Sequence, residues 1–162
     1  MQQNESLGRR ALGAVIEAIA SDDVSPGAGS AAAVGLALAS ACARKAVAIS
    51  ENHRQDDAVL SRAREALTEI SLLALQGADE DAARFRAFMQ QKSGSSAQDL
   101  IDSGERLQRL GAVLLSVLDE IESRIEASVS GDIAASRALC KAFMKIQSDN
   151  LEESRDGLIH ER

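Results

Sequence analysis

The chain has 162 residues, 45% of them hydrophobic and 2% aromatic, with a formal net charge of −7. This length is typical of one compact domain with a buried core, and we predict a single helical domain over residues 1–162. The acidic balance argues against binding nucleic acid or anionic membranes, because both attract positive charge.

With one proline and mostly good helix formers, the chain is predicted to be an all-α bundle of about five helices. The first runs from about Glu5 to Ala20, with Leu12, Val15, Ile16 and Ile19 on one face. The second runs from Ser30 to about Ser50 and is apolar nearly all round, as expected for a central helix. Residues 24–43 carry no charge, but with one proline, three glycines and three serines they are less hydrophobic than a membrane span.

A glycine turn, Pro26-Gly27-Ala28-Gly29-Ser30, opens the second helix. The first N–H groups of a helix have no partner within it, so such a turn beside an apolar wall can hold an anion or a polar ring.

Three further helices follow. The third begins near Asp56 and has Leu60, Leu67 and Ile70 at helical spacing. Its pattern continues through Phe85 to Met89, with Gly77 predicted to cap or to kink it. The fourth begins near Ser96 and has a clean apolar stripe that includes Leu114 and Leu118 and ends at Ile125. The last runs from Asp132 to about Asp156.

Four polar residues share a helix face with the predicted core, where an unpaired polar group costs about 1–3 kcal/mol. They are Ser30, Asp81, Asp132 and Asn150. Capping a helix N-terminus is the alternative interpretation for the serine and the two aspartates. For Asn150 the alternative is an amide whose hydrogen bonds are made within the bundle or on its surface.

Other site chemistries have no support in the sequence. His53 and His160 are isolated from one another and from suitable cysteines or carboxylates, so no metal is predicted. Cys42 and Cys140 form no close pair, which indicates core residues of a cytoplasmic protein. The glycine turn lacks the Lys-Ser/Thr ending of a phosphate-binding loop.

Four segments, in order, carry a family resemblance: Pro26–Ala39, Asp79–Phe85, Gly131–Ala135 and Asn150-Leu151. Together they resemble the cyclodeaminase/cyclohydrolase family, which comprises helical methenyltetrahydrofolate cyclohydrolases and the cyclodeaminase domain of formiminotransferase-cyclodeaminase. The resemblance covers most of the chain from Ala11 to Asp156. It implies an all-helical homodimer that binds folate near the proline-glycine turn and the subunit interface.

The resemblance also implies a folate-dependent enzyme of one-carbon metabolism. The enzyme would hydrolyse methenyltetrahydrofolate or cyclise formiminotetrahydrofolate with release of ammonia, as a hydrolase or a lyase. No cofactor is implied beyond tetrahydrofolate as the carrier of the substrate. Asp81, with a raised pKa, would be the general base or acid, and Ser30 would help to fix the pterin or its developing charge. The substrate-binding residues would be Pro26, Gly27, Gly29, Asp79, Asp132 and Asn150.

Departures from the family pattern leave other functions open. Ala28 stands where the family usually has a glycine, and Glu51–Gln55 replaces a lysine-rich stretch. One alternative is therefore a helical dimer that kept the fold without turnover, as a binding or structural protein. Another is an enzyme for a different pterin or amidine-bearing substrate.

Overall fold

The computed structural model describes residues 12–54, 56–91 and 94–160, the last four of them by their backbone only. Within these ranges it has no strand, which confirms the predicted all-α class. Its helices are α1 (Leu12–Ala20), α2 (Ala28–Glu51), α3 (Ala58–Gln91), α4 (Gly94–Ile121) and α5 (Ser130–His160), with single 3-10 turns at Glu122–Arg124 and Ala127–Val129.

Helix α2 lies at the centre of the bundle. Six of its alanines and Leu36 are buried, and the helix packs mainly on α3 and α5. Helix α4 completes the bundle by packing on those two helices. Small side chains let the helix axes approach closely, so a core almost without aromatic residues still packs densely. By length and composition alone, helix α2 is long and apolar enough to span a membrane. Core helices of other proteins have the same length and composition, and half of the most apolar stretch of α2 is buried in the bundle.

Helix α3 is continuous through Gly77, so the prediction that this glycine caps the helix is wrong. Gly77 is buried, and a Cβ there would meet the side chain of Leu107 on α4. The glycine therefore serves a close approach of two helices rather than a break. Asp57 caps the start of α3, since its Oδ1 accepts from the backbone N–H of Val59 at 2.9 Å and of Leu60 at 3.3 Å.

The predicted apolar face of α1 is only half covered. Val15 is buried, and Ile19 packs partly against the core. Leu12 and Ile16, predicted to share that face, are 61% and 55% exposed. At the other end of the chain, α5 begins at Ser130, two residues before the predicted start at Asp132, and α4 ends at Ile121 rather than at Ile125.

Gly111 sets the spacing between α4 and α5. A Cβ at this position would lie 2.7 Å from Cε1 of the buried Phe143 and 2.6 Å from Sδ of Met144. We expect Gly111→Ala to lower the free energy of unfolding by about 1–3 kcal/mol through overpacking, measured by urea denaturation. Gly131→Ala is the matched control, because a Cβ there has no neighbour within 4 Å. Equal stability of the two variants would contradict this account.

Candidate functional site

A cavity of about 250 Å³ opens between the start of α2, the middle of α3 and the C-terminal half of α5. The turn before α2 forms one wall, α3 and α4 contribute an acidic, an aromatic and an aliphatic side chain, and α5 closes the other side with polar groups. The residues on which the site depends are Gly27–Gly29, Asp81, Phe85, Leu100, Gln147, Asn150 and Glu153.

Two buried serines tie the glycine turn to α3. Ser25 Oγ donates to the carbonyl oxygen of Ala82 at 2.9 Å. Ser30 Oγ lies 3.0 Å from the carbonyl oxygen of Ala78, one helical turn earlier on α3. Because these bonds flank Gly27–Gly29 on both sides, they hold the turn against one short stretch of α3.

Asp81 meets this turn at its centre. Its Oδ2 lies 2.9 Å from Ser30 Oγ, and the backbone N–H of Ser30 also donates to the carboxyl group. A Cβ on Gly29 would lie 2.5 Å from Oδ1 and 2.7 Å from the carboxyl carbon, so only glycine leaves room for this approach. Burial raises the pKa of Asp81 above its ordinary value, against the opposing effect of the two bonds from Ser30.

The Ser30 hydroxyl can serve Asp81 in both of its protonation states. It has one proton and two acceptors within reach, Asp81 Oδ2 and the Ala78 carbonyl oxygen. Beside an ionised Asp81, the hydroxyl donates to the carboxylate. Beside a protonated Asp81, it donates to Ala78 and accepts from the acid. The carboxyl group can therefore gain or lose a proton without leaving either partner unpaired.

The structure places most of the sequence-predicted site in one location. Gly27, Gly29, Asp81 and Asn150 line the cavity, and Ser30 lies directly behind Asp81. The alternative that Ser30 caps α2 is wrong, because Gly27 occupies the N-cap position and Ser30 is fully buried within the first turn. Asp81 is not a cap either, since it lies far inside α3.

Three predicted binding residues lie outside the cavity wall. Pro26, which follows a cis peptide bond, is half-buried beside the turn. Asp79 is half-buried on α3, two residues from Asp81 and so on a different face of the helix. Asp132 pairs with Lys45 at 3.1 Å and precedes Asn150 by 18 residues, about 27 Å along α5.

Several cavity residues were not predicted as site residues, among them Phe85, Gln147 and Glu153. Phe85 follows the apolar pattern of α3, but it is 36% exposed and forms the aromatic wall. Gln147 precedes Asn150 by three residues and shares its helix face. The signal that could have identified Gln147 is therefore the one that identified Asn150, a polar residue on an apolar face. Glu153 is exposed on α5, and no sequence pattern distinguishes it from the other surface carboxylates.

The described residues include no group of three histidines, cysteines or carboxylates arranged to hold a metal ion.

Cys140 is buried, and its thiol lies 3.4 Å from the Gly111 carbonyl oxygen. Burial raises the pKa of Cys140 to about 11, which leaves the thiol protonated and unreactive at neutral pH. Two carboxylates line the cavity, and Asp81 is the stronger candidate for proton transfer because it is partly buried whereas Glu153 is exposed.

The raised pKa of Asp81 has a consequence for stability. Its ordinary pKa is 3.8, so between that pH and the raised folded pKa the folded chain binds a proton that the unfolded chain has lost. The free energy of unfolding therefore falls as the pH rises through this window and stays lowered at neutral pH.

We expect Asp81→Asn to raise the urea midpoint at neutral pH, with a gain that shrinks toward pH 3.8. Asp99→Asn, at an exposed aspartate of α4, is the control and should show no such gain. An Asp81→Asn protein no more stable than wild type at neutral pH would contradict the burial argument.

Comparisons with known proteins find a matching family model and similar solved structures. The family model described as formiminotransferase-cyclodeaminase matches residues 11–142. The crystal structure of formiminotetrahydrofolate cyclodeaminase from Thermotoga maritima superimposes with a TM-score of 0.82, covering 95% of this chain and 87% of that chain. The two chains are 18% identical, so this likeness concerns the fold. No curated protein sequence matches the chain.

Proposed function

Because this chain belongs to the formiminotransferase-cyclodeaminase family, we propose that its cavity binds a tetrahydrofolate carrying a one-carbon unit and that Asp81 moves protons during conversion of that unit. The observation that carries the proposal is the partly buried Asp81 carboxyl at the cavity wall, 2.9 Å from Ser30 Oγ, with its pKa raised by burial. A carboxyl group whose pKa is raised toward neutral pH can act as base and then as acid in one reaction cycle.

The charge of the cavity favours the substrates of this chemistry. Asp81 and Glu153 line it, and none of its described lining side chains is basic. The methenyl bridge is a cationic amidinium, and a protonated formimino group carries the same charge. Two carboxylates attract a cation of this kind, whereas they would repel an anionic group in the same position.

Hydrolysis of the methenyl bridge would proceed by addition of water. The water oxygen bonds to the amidinium carbon while the Asp81 carboxylate takes a proton from the water. The carbon then carries a hydroxyl group and two folate nitrogens. Asp81 returns the proton to one nitrogen as its bond to carbon breaks, and the hydroxyl proton leaves to the solvent as the formyl carbonyl forms.

Cyclisation of a formimino group would use the same carboxyl in the same order. The neighbouring folate nitrogen bonds to the formimino carbon and gives its proton to Asp81. Asp81 then donates that proton to the amino group on the carbon. The carbon–nitrogen bond to this group breaks, ammonia leaves, and the methenyl bridge keeps the positive charge.

The remaining groups would bind and orient the ring. Ala28 and Gly29 line the cavity, and their N–H groups, the first of α2, have no acceptor within the helix, which suits a carbonyl oxygen or developing negative charge. Phe85 and Leu100 provide apolar contact for a flat ring. The Asn150 amide adds one donor and one acceptor group.

We also propose that the protein is a homodimer, as the family resemblance implies. Apolar side chains on α1, α2 and α3 remain outside the bundle, among them Leu12, Ile16, Leu38 and Leu72. Exposed apolar area of this kind is typical of an interface. A second copy is also the route by which Asp132, remote from the cavity of its own chain, would approach a folate. Light scattering that gives the mass of a monomer would exclude both points.

Two assays separate the possible activities. In the first, the protein is mixed with methenyltetrahydrofolate and the loss of methenyl absorbance is followed. In the second, formiminotetrahydrofolate is supplied and released ammonia is measured. Turnover in the first assay alone identifies a cyclohydrolase, and turnover in the second a cyclodeaminase. Folate binding without turnover in either assay identifies the binding-protein alternative. The absence of both folate binding and turnover would refute the proposal.

A further inference from the structure

The cavity contains a buried polar side chain that the proposed chemistry does not use. Gln147 lines the cavity, is 2% exposed, and its Oε1 has no hydrogen-bond partner among the described residues. A buried acceptor without a partner is costly, and native proteins retain few of them. Such a group at a cavity wall is explained when a ligand supplies the missing partner.

The backbone around Gln147 is shaped to admit its amide. A Cβ on Gly104 of α4 would lie 2.8 Å from Gln147 Nε2, so the absence of a side chain at residue 104 leaves space for this group. Leu151, one turn further along α5, packs over the same glycine and also lines the cavity. The amide is therefore held in an apolar setting, where a hydrogen bond is strong and selective.

A second primary amide lies on the same face of α5. Asn150 follows Gln147 by three residues and lines the same cavity. The nearby Ser154 hydroxyl donates to the Asn150 backbone carbonyl, so it leaves the Asn150 side chain for other partners. Two amides between apolar walls match a flat heterocycle whose rim carries both donors and acceptors.

We propose that Gln147 recognises the lactam edge of a pterin ring, accepting from its ring N–H with Oε1 and donating to the adjacent ring carbonyl with Nε2. This inference rests on the proposed folate function and assigns the ring-recognition residue of that site. The cavity, at about 250 Å³, is smaller than the 300–1,000 Å³ that encloses a whole drug-sized ligand. The ring therefore occupies the cavity and the glutamate tail lies outside it, which agrees with a cavity wall that has no basic side chain.

Calorimetric titration of two halves of folate tests the assignment. Methyltetrahydropterin carries the ring alone, and aminobenzoylglutamate carries the tail alone. We expect Gln147→Met, which keeps the shape without the amide, to weaken binding of methyltetrahydropterin by about tenfold or more, as loss of one or two buried hydrogen bonds implies. Binding of aminobenzoylglutamate should not change. Gln76→Met, on an exposed part of α3, is the matched control and should bind both halves as wild type does.

The ligand-free protein gives an independent readout. Since Gln147→Met removes an acceptor that has no partner, its melting temperature should equal or exceed that of wild type. A lower melting temperature with unchanged ring binding would show a structural glutamine and overturn the inference. If the variant does not fold, the side-chain amide signals of Gln147 in the NMR spectrum of wild type must shift when methyltetrahydropterin is added, and unshifted signals under saturation would overturn it.

Failure of the inference and failure of the proposed function give different results. Equal ring binding by wild type and Gln147→Met would overturn the role of Gln147 and leave the folate function in place. A wild-type protein that binds neither methyltetrahydropterin nor tetrahydrofolate would overturn both.

Discussion

Asp81→Asn is expected to lower the rate of methenyl hydrolysis or formimino cyclisation by about 100- to 10,000-fold, the range attributed to a general acid–base group. The amide has nearly the same shape, and its oxygen can accept a hydrogen bond from Ser30. If the NH2 group faces the Ser30 hydroxyl, it donates to that hydroxyl, which then donates to the Ala78 carbonyl oxygen, so the turn remains docked on α3. It cannot take a proton from water or from a folate nitrogen at neutral pH. The measurement is kcat on whichever of the two substrates wild type converts.

Three controls confine this result to the chemistry. Circular dichroism should show an unchanged helical content, and calorimetry should show that the variant still binds folate. Asp99→Asn should retain the rate of wild type, since this aspartate is exposed on α4 and does not line the cavity. An Asp81→Asn protein that retained its rate would remove Asp81 from the mechanism.

Gly29→Ala is expected to reduce turnover by about 100-fold or more, through displacement of Asp81 rather than through a change in charge. The new Cβ would lie 2.5 Å from Asp81 Oδ1 and 2.7 Å from its carboxyl carbon, closer than non-bonded atoms approach, so the carboxyl group must move away. Displacing a catalytic group by about 1 Å can cost about 100-fold in rate. Stopped-flow or steady-state rates on the same substrate provide the measurement.

Gly35→Ala is the matched control for this variant. It introduces the same methyl group on the same helix, where a Cβ has no neighbour within 4 Å. An alanine at this position should stabilise the helix by up to about 1 kcal/mol and leave the rate unchanged. If both variants retained full activity, the close approach of α2 to Asp81 would have no catalytic role.

Helix periodicity predicted the bundle, because α3 and α4 have clear apolar stripes and α2 is apolar nearly all round. Leu60, Leu67 and Ile70 on α3 and Leu114 and Leu118 on α4 are buried as the stripes predicted. Glycine was the weak point of this reasoning. At residue 77 it permits close packing against Leu107 within a continuous helix. Whether a helical glycine ends a helix or allows such packing becomes visible only with the partner helix in place.

The candidate site was partly predictable for a similar reason. Ser30, Asp81 and Asn150 each stood out as a polar residue on an apolar face, and the fold brings all three to one end of the bundle. The position of Asp132 depends on which end of α5 meets the glycine turn, and a local pattern contains no information about that. Gln147 was available to the same argument as Asn150, but its unpaired oxygen becomes visible only when the neighbouring helices are in place.

Direct titration of the wild-type protein with a stable reduced folate tests the central claim most closely. Calorimetry with formyltetrahydrofolate, the product side of the hydrolysis, measures occupancy of the cavity without requiring turnover. The account predicts saturable binding at one site per chain, weakened in Gly29→Ala and preserved in Gly35→Ala. Absence of binding to wild type, or equal binding by wild type and Gly29→Ala, would contradict a folate site formed by the glycine turn and Asp81.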